Sequence, residues 1–313
     1  MALDPKAKAL LTAIEAAGPV NFDAVPLEFA REQVDAGYSR MKIPVKQVGS
    51  VRDLSLPGPE SDIPVRIYTP EGDGPFPVIV FFHGGGWVFF HLDAYDPVCS
   101  HLCAIAKCIV VSVDYRLSPE SKFPAATDDC LQATTWVSGH CSEWNGNPER
   151  IFLAGDSAGG NLAAVTALRL RDEFAHSPVP IMGQILIYPV TDYYKPGKPS
   201  YVEFAEGYGL TRDAMGWFWD KYLGYDGDAT NYLVAPLQAP SLFRLPRALV
   251  IVSGYDPLRD EGIAYANRLS GAGVTVTLSV YDDMIHGFLS YLGILNQGID
   301  AIEEIALWLS HYR

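Results

Sequence analysis

The apolar run Ile151-Phe152-Leu153-Ala154 leads directly into Gly155-Asp156-Ser157-Ala158-Gly159-Gly160, and that in turn into the helix-forming stretch Asn161-Leu162-Ala163-Ala164-Val165-Thr166-Ala167-Leu168. This is a strand, a sharp turn and a helix. Gly155 and Gly159 remove the side chains that would collide where strand and helix cross, so a serine hydroxyl can project from a strained turn at the helix N-terminus. Ser157 is thereby a candidate nucleophile. On these residues alone, the alternative is a plain helix N-terminus with Ser157 as part of its cap.

Elsewhere, extended and helical patterns alternate. The best strand candidates are 65–69, 78–82, 108–113, 151–154, 184–188, 249–252 and 274–281. Continuous apolar runs such as 108–113 suit strands buried on both faces, as in a mostly parallel sheet. Helices over 128–136 and 263–269 would cover its two sides, giving an α/β fold with a central sheet flanked by helices. With 313 residues and 49% hydrophobic content, one large α/β domain plus additions is within reach without metals or disulfides.

Two regions stand outside the alternation. Residues 1–45 carry helical spacing, with Leu10, Leu11 and Ile14 on one face, and are broken at Gly18-Pro19 and Pro26. Residues from about 191 to 240 interrupt the scheme after the strand at 184–188, with a helix expected over 212–222. This insertion is dense in aromatics, among them Tyr193, Trp217, Phe218, Trp219, Tyr222 and Tyr225. The division expected is therefore N-terminal cap helices over 1–45 and a catalytic domain over 46–313, with a cap insertion at about 191–240. Both additions would cover the C-terminal edge of the sheet above Ser157.

Three further segments occur in a telling order. Strand 78–82 runs into His83-Gly84-Gly85-Gly86-Trp87, and three consecutive glycines after a buried strand are entropically costly unless the bare backbone is needed. N–H groups from this loop and from Ala158 would form an oxyanion hole beside Ser157. Strand 249–252 is followed by Tyr255-Asp256-Pro257, which puts a carboxylate at a strand's C-terminal end. His286 follows strand 274–281. Asp260 and Glu261 are rival carboxylates but fall in the first turn of the next helix, where acidic residues favour the helix dipole. Asp282 and Asp283 lie on the base's own loop, and Asp156 suits a turn or a supporting hydrogen bond.

The order nucleophile, acid, base, with His83-Gly84-Gly85-Gly86, Asp114-Tyr115-Arg116-Leu117-Ser118-Pro119-Glu120, the Ser157 elbow, Asp256-Pro257-Leu258-Arg259-Asp260-Glu261-Gly262 and His286-Gly287-Phe288, resembles the hormone-sensitive-lipase-like esterases of the α/β-hydrolase fold. The likeness runs from about Val51 to the C-terminus. It implies a serine carboxylesterase with Ser157, Asp256 and His286 as the triad and no metal or cofactor; the rings of Trp87, Phe89 and Phe90, which fill space a substrate chain could occupy, lead us to expect short to medium acyl esters. It also implies Gly85, Gly86 and Ala158 as oxyanion donors, with Gly84 serving the turn. Two positions depart from the family pattern: Ser118 replaces a usual alanine, and Phe90 replaces a residue that is usually small. Trp87, Phe89 and Phe90, directly after the glycine loop, and Tyr188, at the end of its strand, are the residues expected to bind substrate. A lactonase, deacetylase or amidase would use the same triad; a non-catalytic small-molecule-binding relative would lack the histidine that His286 supplies.

Composition excludes other classes. A net charge of -14 argues against a nucleic-acid surface, which draws on clustered Lys and Arg. No apolar run approaches the roughly 20 residues of a membrane span, and no secretory segment follows Met1. Five cysteines without a Cys-x-x-Cys pair read as reduced residues of a cytoplasmic protein. His101, His140, His176 and His311 show no metal-ligand spacing. The strand at 274–281 could be an edge that pairs two chains into a homodimer.

Overall fold

The chain is described here by a computed structural model, over residues 2–18, 22–174, 179–224 and 227–312. Residues His176 and Tyr225 lie outside that range. Two helices come first, α1 (Pro5–Ala17) and α2 (Leu27–Arg40). Then follow β1 (Ser50–Leu56), β2 (Ile63–Thr69), β3 (Phe76–Phe82), α3 (Leu92–Ala106), β4 (Ile109–Val113), α4 (Ala125–His140), β5 (Gly146–Asp156), α5 (Ala158–Glu173) and β6 (Ile181–Ile187). The chain ends with α6 (Ser200–Glu203), α7 (Arg212–Leu223), β7 (Arg247–Tyr255), α8 (Arg259–Gly271), β8 (Val276–Ile285) and α9 (Asn296–Ser310).

Among the described residues eight strands form one sheet in the order β1-β2-β4-β3-β5-β6-β7-β8. β2 runs antiparallel to both β1 and β4, and the remaining pairs are parallel. This is the α/β-hydrolase architecture. Successive residues of a strand point to opposite faces, so β3 sends Val78, Val80 and Phe82 into one core with α4, α5 and α8, and Ile79 and Phe81 into a second with α3 and α9. Burial on both faces accounts for the unbroken apolar runs.

The strand readings fell short at two places, the first of them for want of burial. β1 carries Arg52 and Asp53, is open to solvent along most of its length and pairs only with β2, so no buried pattern marks it. β8 extends to Ile285, which puts Asp282 and Asp283 inside a strand rather than on a loop.

The N-terminal segment docks on the rest by specific contacts. Asp4 N–H donates to the carbonyl of Asp283, and Leu11 stands 3.6 Å from where a Cβ on Gly209 would be. Phe22 lies against Phe89, Trp217 and Phe218, with ring centroids 5.1, 5.0 and 6.0 Å away. All five cysteines are buried and unpaired. Among the described residues no helix is long and apolar enough to cross a membrane.

Candidate active site

Ser157 stands alone between β5 and α5, at φ 56° and ψ -119°. Such a conformation is strained for any residue with a Cβ, at a cost of about 1–3 kcal/mol, and survives only where the surroundings fix it. They do. Ser157 N–H donates to Ile187 O at 2.9 Å, and its carbonyl accepts from Asn161 and Val190, both at 3.1 Å. A Cβ on Gly159 would stand 1.9 Å from Phe82 O, and one on Gly155 2.3 Å from the Gly159 carbonyl carbon, so only glycine permits this crossing.

The histidine directly follows β8 and so lies at the same C-terminal edge of the sheet as the serine. His286 Nε2 lies 3.0 Å from Ser157 Oγ, and its Nδ1 lies 2.7 Å from Asp256 Oδ2. Facing a carboxylate, Nδ1 carries the proton and Nε2 is left to accept the serine's. Asp256 is fully buried directly after β7, and its other oxygen accepts from Leu258 N–H at 2.8 Å. Both carboxylate oxygens are therefore fixed.

The rival carboxylates have other work. Asp260 accepts from Ser200 N–H and from Arg259 Nε, both at 2.9 Å. Glu261 accepts from Thr191 N–H at 2.7 Å and Asp192 N–H at 3.2 Å, and burial pushes its carboxyl well above the usual range. These two tie the start of the insertion to α8. Arg268, further along the same helix, donates to the carbonyls of Leu237 and Ala239 near the insertion's other end.

In the glycine loop, Gly85 and Gly86 take φ 97° and 62°, the left-handed region that favours glycine. Gly85 O accepts from Val88 N–H and Phe89 N–H at 3.1 and 2.9 Å, closing a tight turn. The expectation that Gly84 serves this turn is corrected: the turn belongs to Gly85 and Gly86. Gly84 is needed for space, because a Cβ there would lie 2.7 Å from Asp156 Oδ2. His83 steadies the loop through Nδ1–H to Gly84 O at 2.8 Å and a stacked Tyr115 ring at 4.3 Å. Burial lowers its pKa to about 4, so this imidazole is neutral. Among the described residues the N–H groups of Gly85, Gly86 and Ala158 have no acceptor.

The four residues expected to bind substrate occupy two different settings. Trp87 is fully buried, stacked on Tyr222 at 4.2 Å, and Phe89 joins the cluster of Phe22, Trp217 and Phe218. Tyr188 lays its ring 4.7 Å from that of His286, beside the base. Phe90 is only partly buried and meets Tyr38 of α2 edge-on at 4.9 Å. Tyr38 also neighbours Tyr291, at 6.2 Å, on the loop that follows the base. Sequence reasoning missed Tyr38 because a tyrosine on an N-terminal helix becomes a neighbour of the catalytic loops only through docking. Ser118, the second departure, is accommodated: its buried hydroxyl donates to Ser121 O at 3.1 Å.

Arg31, on α2, donates to Val88 O and Ser118 O, both at 3.0 Å, and forms a two-pronged pair with Glu120. The N-terminal helices thus grip the chain just beyond the glycine loop. Removal of residues 1–40 is expected to lower kcat/KM by about 10–100-fold, through misplacement of reacting groups. Circular dichroism of the truncated protein should still show an α/β spectrum, less the helical signal of α1 and α2; unchanged kinetics would place the segment outside the pocket.

A family profile described as alpha/beta hydrolase fold matches residues 79–290. The chain is 43% identical over 244 residues to "Carboxylic ester hydrolase LipN" of Mycobacterium tuberculosis, a match that covers 77% of this chain and 64% of that relative's length. It is 38% identical over 307 residues to "Carboxylesterase NlhH" of the same species, covering 96% of this chain and 92% of the other. Among solved structures, the hyperthermophilic esterase from the archaeon Pyrobaculum calidifontis superposes with a TM-score of 0.95 at 37% identity, over 100% of this chain and 99% of that one.

Proposed function

The chain belongs to the α/β hydrolase fold family, in its hormone-sensitive-lipase-like class, and from that premise we propose that it is a serine carboxylesterase acting on short to medium acyl esters. The observation that carries this reading is the hydrogen-bonded line Asp256–His286–Ser157, at 2.7 and 3.0 Å, with three N–H groups nearby that have no acceptor among the described residues. A serine hydroxyl is a poor nucleophile at neutral pH and needs a positioned base. Ser157 Oγ attacks the ester carbonyl as its proton passes to His286 Nε2. Asp256 stabilises the imidazolium. The tetrahedral oxyanion accepts from Gly85, Gly86 and Ala158 N–H, His286 returns the proton to the leaving alcohol, and water repeats the cycle on the acyl-enzyme. A panel of nitrophenyl esters from acetate to palmitate tests this directly. Hydrolysis absent across the panel would refute it.

The segments at 1–45 and 191–240 act as the cap over this centre, and Phe90 and Tyr188 bound the substrate chamber on the side of the base. Phe90 sets chain length there. Phe90→Gly should shift preference toward longer acyl chains, with the long-to-short ratio of kcat/KM rising by roughly 10-fold, a size consistent with about 1–3 kcal/mol per methylene-sized change. A fixed ratio with both rates reduced would make Phe90 a packing residue.

β8 lies at the open edge of the sheet, with Leu278 and Val280 side by side on one face and 38% and 40% exposed. This edge pairs two copies into a homodimer, which sedimentation analysis of Val280→Lys against the parent would reveal as a shift to monomer. A cytoplasmic location accords with the five unpaired thiols.

A further inference from the structure

Asp156 precedes the nucleophile, yet the reaction just described leaves its carboxylate unused. It is 3% exposed. Gly84 N–H donates to its Oδ1 at 2.9 Å, and the Tyr95 hydroxyl donates to its Oδ2 at 3.0 Å. Gly84 N–H also meets the Tyr95 oxygen at 2.9 Å, which closes a triangle between the end of β5, the loop after β3, and α3. The fit is tight, since a Cβ on Gly84 would stand 2.7 Å from Oδ2 and 2.9 Å from the Tyr95 oxygen.

The groups facing this carboxylate are Tyr95 and Cys99 of α3, Tyr38 of α2, Tyr115 after β4, Tyr188 after β6, and His286, with no Lys or Arg among them. Burial raises its pKa to about 6, against donors that favour the ionised form. An unpaired buried charge is costly to the fold, and an apolar side chain of similar volume would fill the site at less cost. What the carboxylate supplies instead is a grip on two donors. One of them is the residue directly before Gly85.

We propose that Asp156 is a positioning residue of the oxyanion hole, holding Gly84 and Tyr95 so that the N–H groups of Gly85 and Gly86 keep a fixed distance from that of Ala158. This rests on the serine-esterase reading. The two donor sets come from different segments, one after β3 and one at the start of α5, and Asp156 is the side chain that joins them. Loss of the grip leaves the triad intact but loosens half of the hole.

The test compares Asp156→Leu, Asp156→Asn and Tyr95→Phe with the parent on p-nitrophenyl butyrate. Asp156→Leu should lower kcat about 100-fold with KM within about threefold, the size of losing one oxyanion donor. Asn can still accept from Gly84 N–H through Oδ1 and donate to the Tyr95 oxygen through Nδ2, so Asp156→Asn should recover kcat to within about fivefold of the parent. A folded Leu variant with parental kcat overturns the proposal, and so does an Asn variant as impaired as Leu, because charge rather than position would then matter. Should Asp156→Leu fail to fold, Tyr95→Phe decides: a roughly 3–10-fold loss in kcat at constant KM supports the grip, and parental kcat overturns it.

Stability moves separately from activity. With a folded pKa near 6 above an ordinary value of about 4, the folded state holds the extra proton, so this group's contribution is full below about pH 4 and is lost as pH rises through 6. Asp156→Asn should therefore match or exceed the parent's Tm at pH 8. A lower Tm together with lost kcat would mark a structural residue and overturn the proposal. Ser157→Ala in the same assay reports on the esterase reading itself: turnover there sinks that reading, whereas an inactive Ser157→Ala beside a fully active Asp156→Leu sinks only the present one.

Discussion

Ser157→Ala and His286→Ala should each lower kcat by about 10⁴-fold or more while KM changes little, because triad members act as a unit and removal of either forfeits most of the rate enhancement. The geometry behind this expectation is a single proton path. His286 hydrogen-bonds only to Asp256 and Ser157 among the described residues, so no second base stands in reserve. Asp256→Asn should cost on the order of 10³–10⁴ in kcat, since an amide at 2.7 Å from Nδ1 favours the wrong tautomer. Asp260→Asn should stay within about tenfold of the parent, as its oxygens serve Ser200 and Arg259 rather than the base. Steady-state kinetics on nitrophenyl acetate with folded variants decides it. A mild Asp256→Asn beside a crippled Asp260→Asn would reverse the assignment of the acid.

Gly86→Ala is also expected to be damaging, though less than loss of a triad member, with kcat reduced by about 10²–10³-fold. Two effects act together there. The residue sits at φ 62°, and an added Cβ would fall 2.1 Å from the Phe218 ring. The loop cannot back away freely, because Phe218 lies against Phe89 and Trp217 and is itself buried. Gly86→Ala combined with Phe218→Ala removes the collision and keeps the backbone strain, so it should recover roughly tenfold of the lost kcat. No recovery would mean that the ring is not what displaces the donor.

How much of this could be read from the chain depends on whether the cause is local. The elbow at Ser157 was legible because its requirement, two glycines flanking a serine between a strand and a helix, is written within six residues. Asp256 and His286 were legible as residues that follow apolar runs. β1 was not, because a strand exposed on most positions keeps no apolar period. Gly84 was assigned to the wrong need: a glycine required for space resembles one required for φ until its neighbour, here the carboxylate of Asp156, is in view. Tyr38, Phe218 and the Arg31 clamp depend on docking of segments far apart in sequence, which no local pattern encodes. The dense aromatics at 212–223 did signal that a hydrophobic partner was needed, without saying that Gly86 would be among the contacts.

The attachment of the insertion to α8 has a mechanical consequence. Glu261 fastens its first residues, Arg268 its last, and α8 itself begins three residues after Asp256. A swing of the whole insertion away from the body would therefore drag on the acid and break the line to His286. Substrate and alcohol must come and go while α8 stays still, which denies the insertion the freedom to open as one rigid flap. The insertion is a strap buckled at both ends to the helix that follows Asp256.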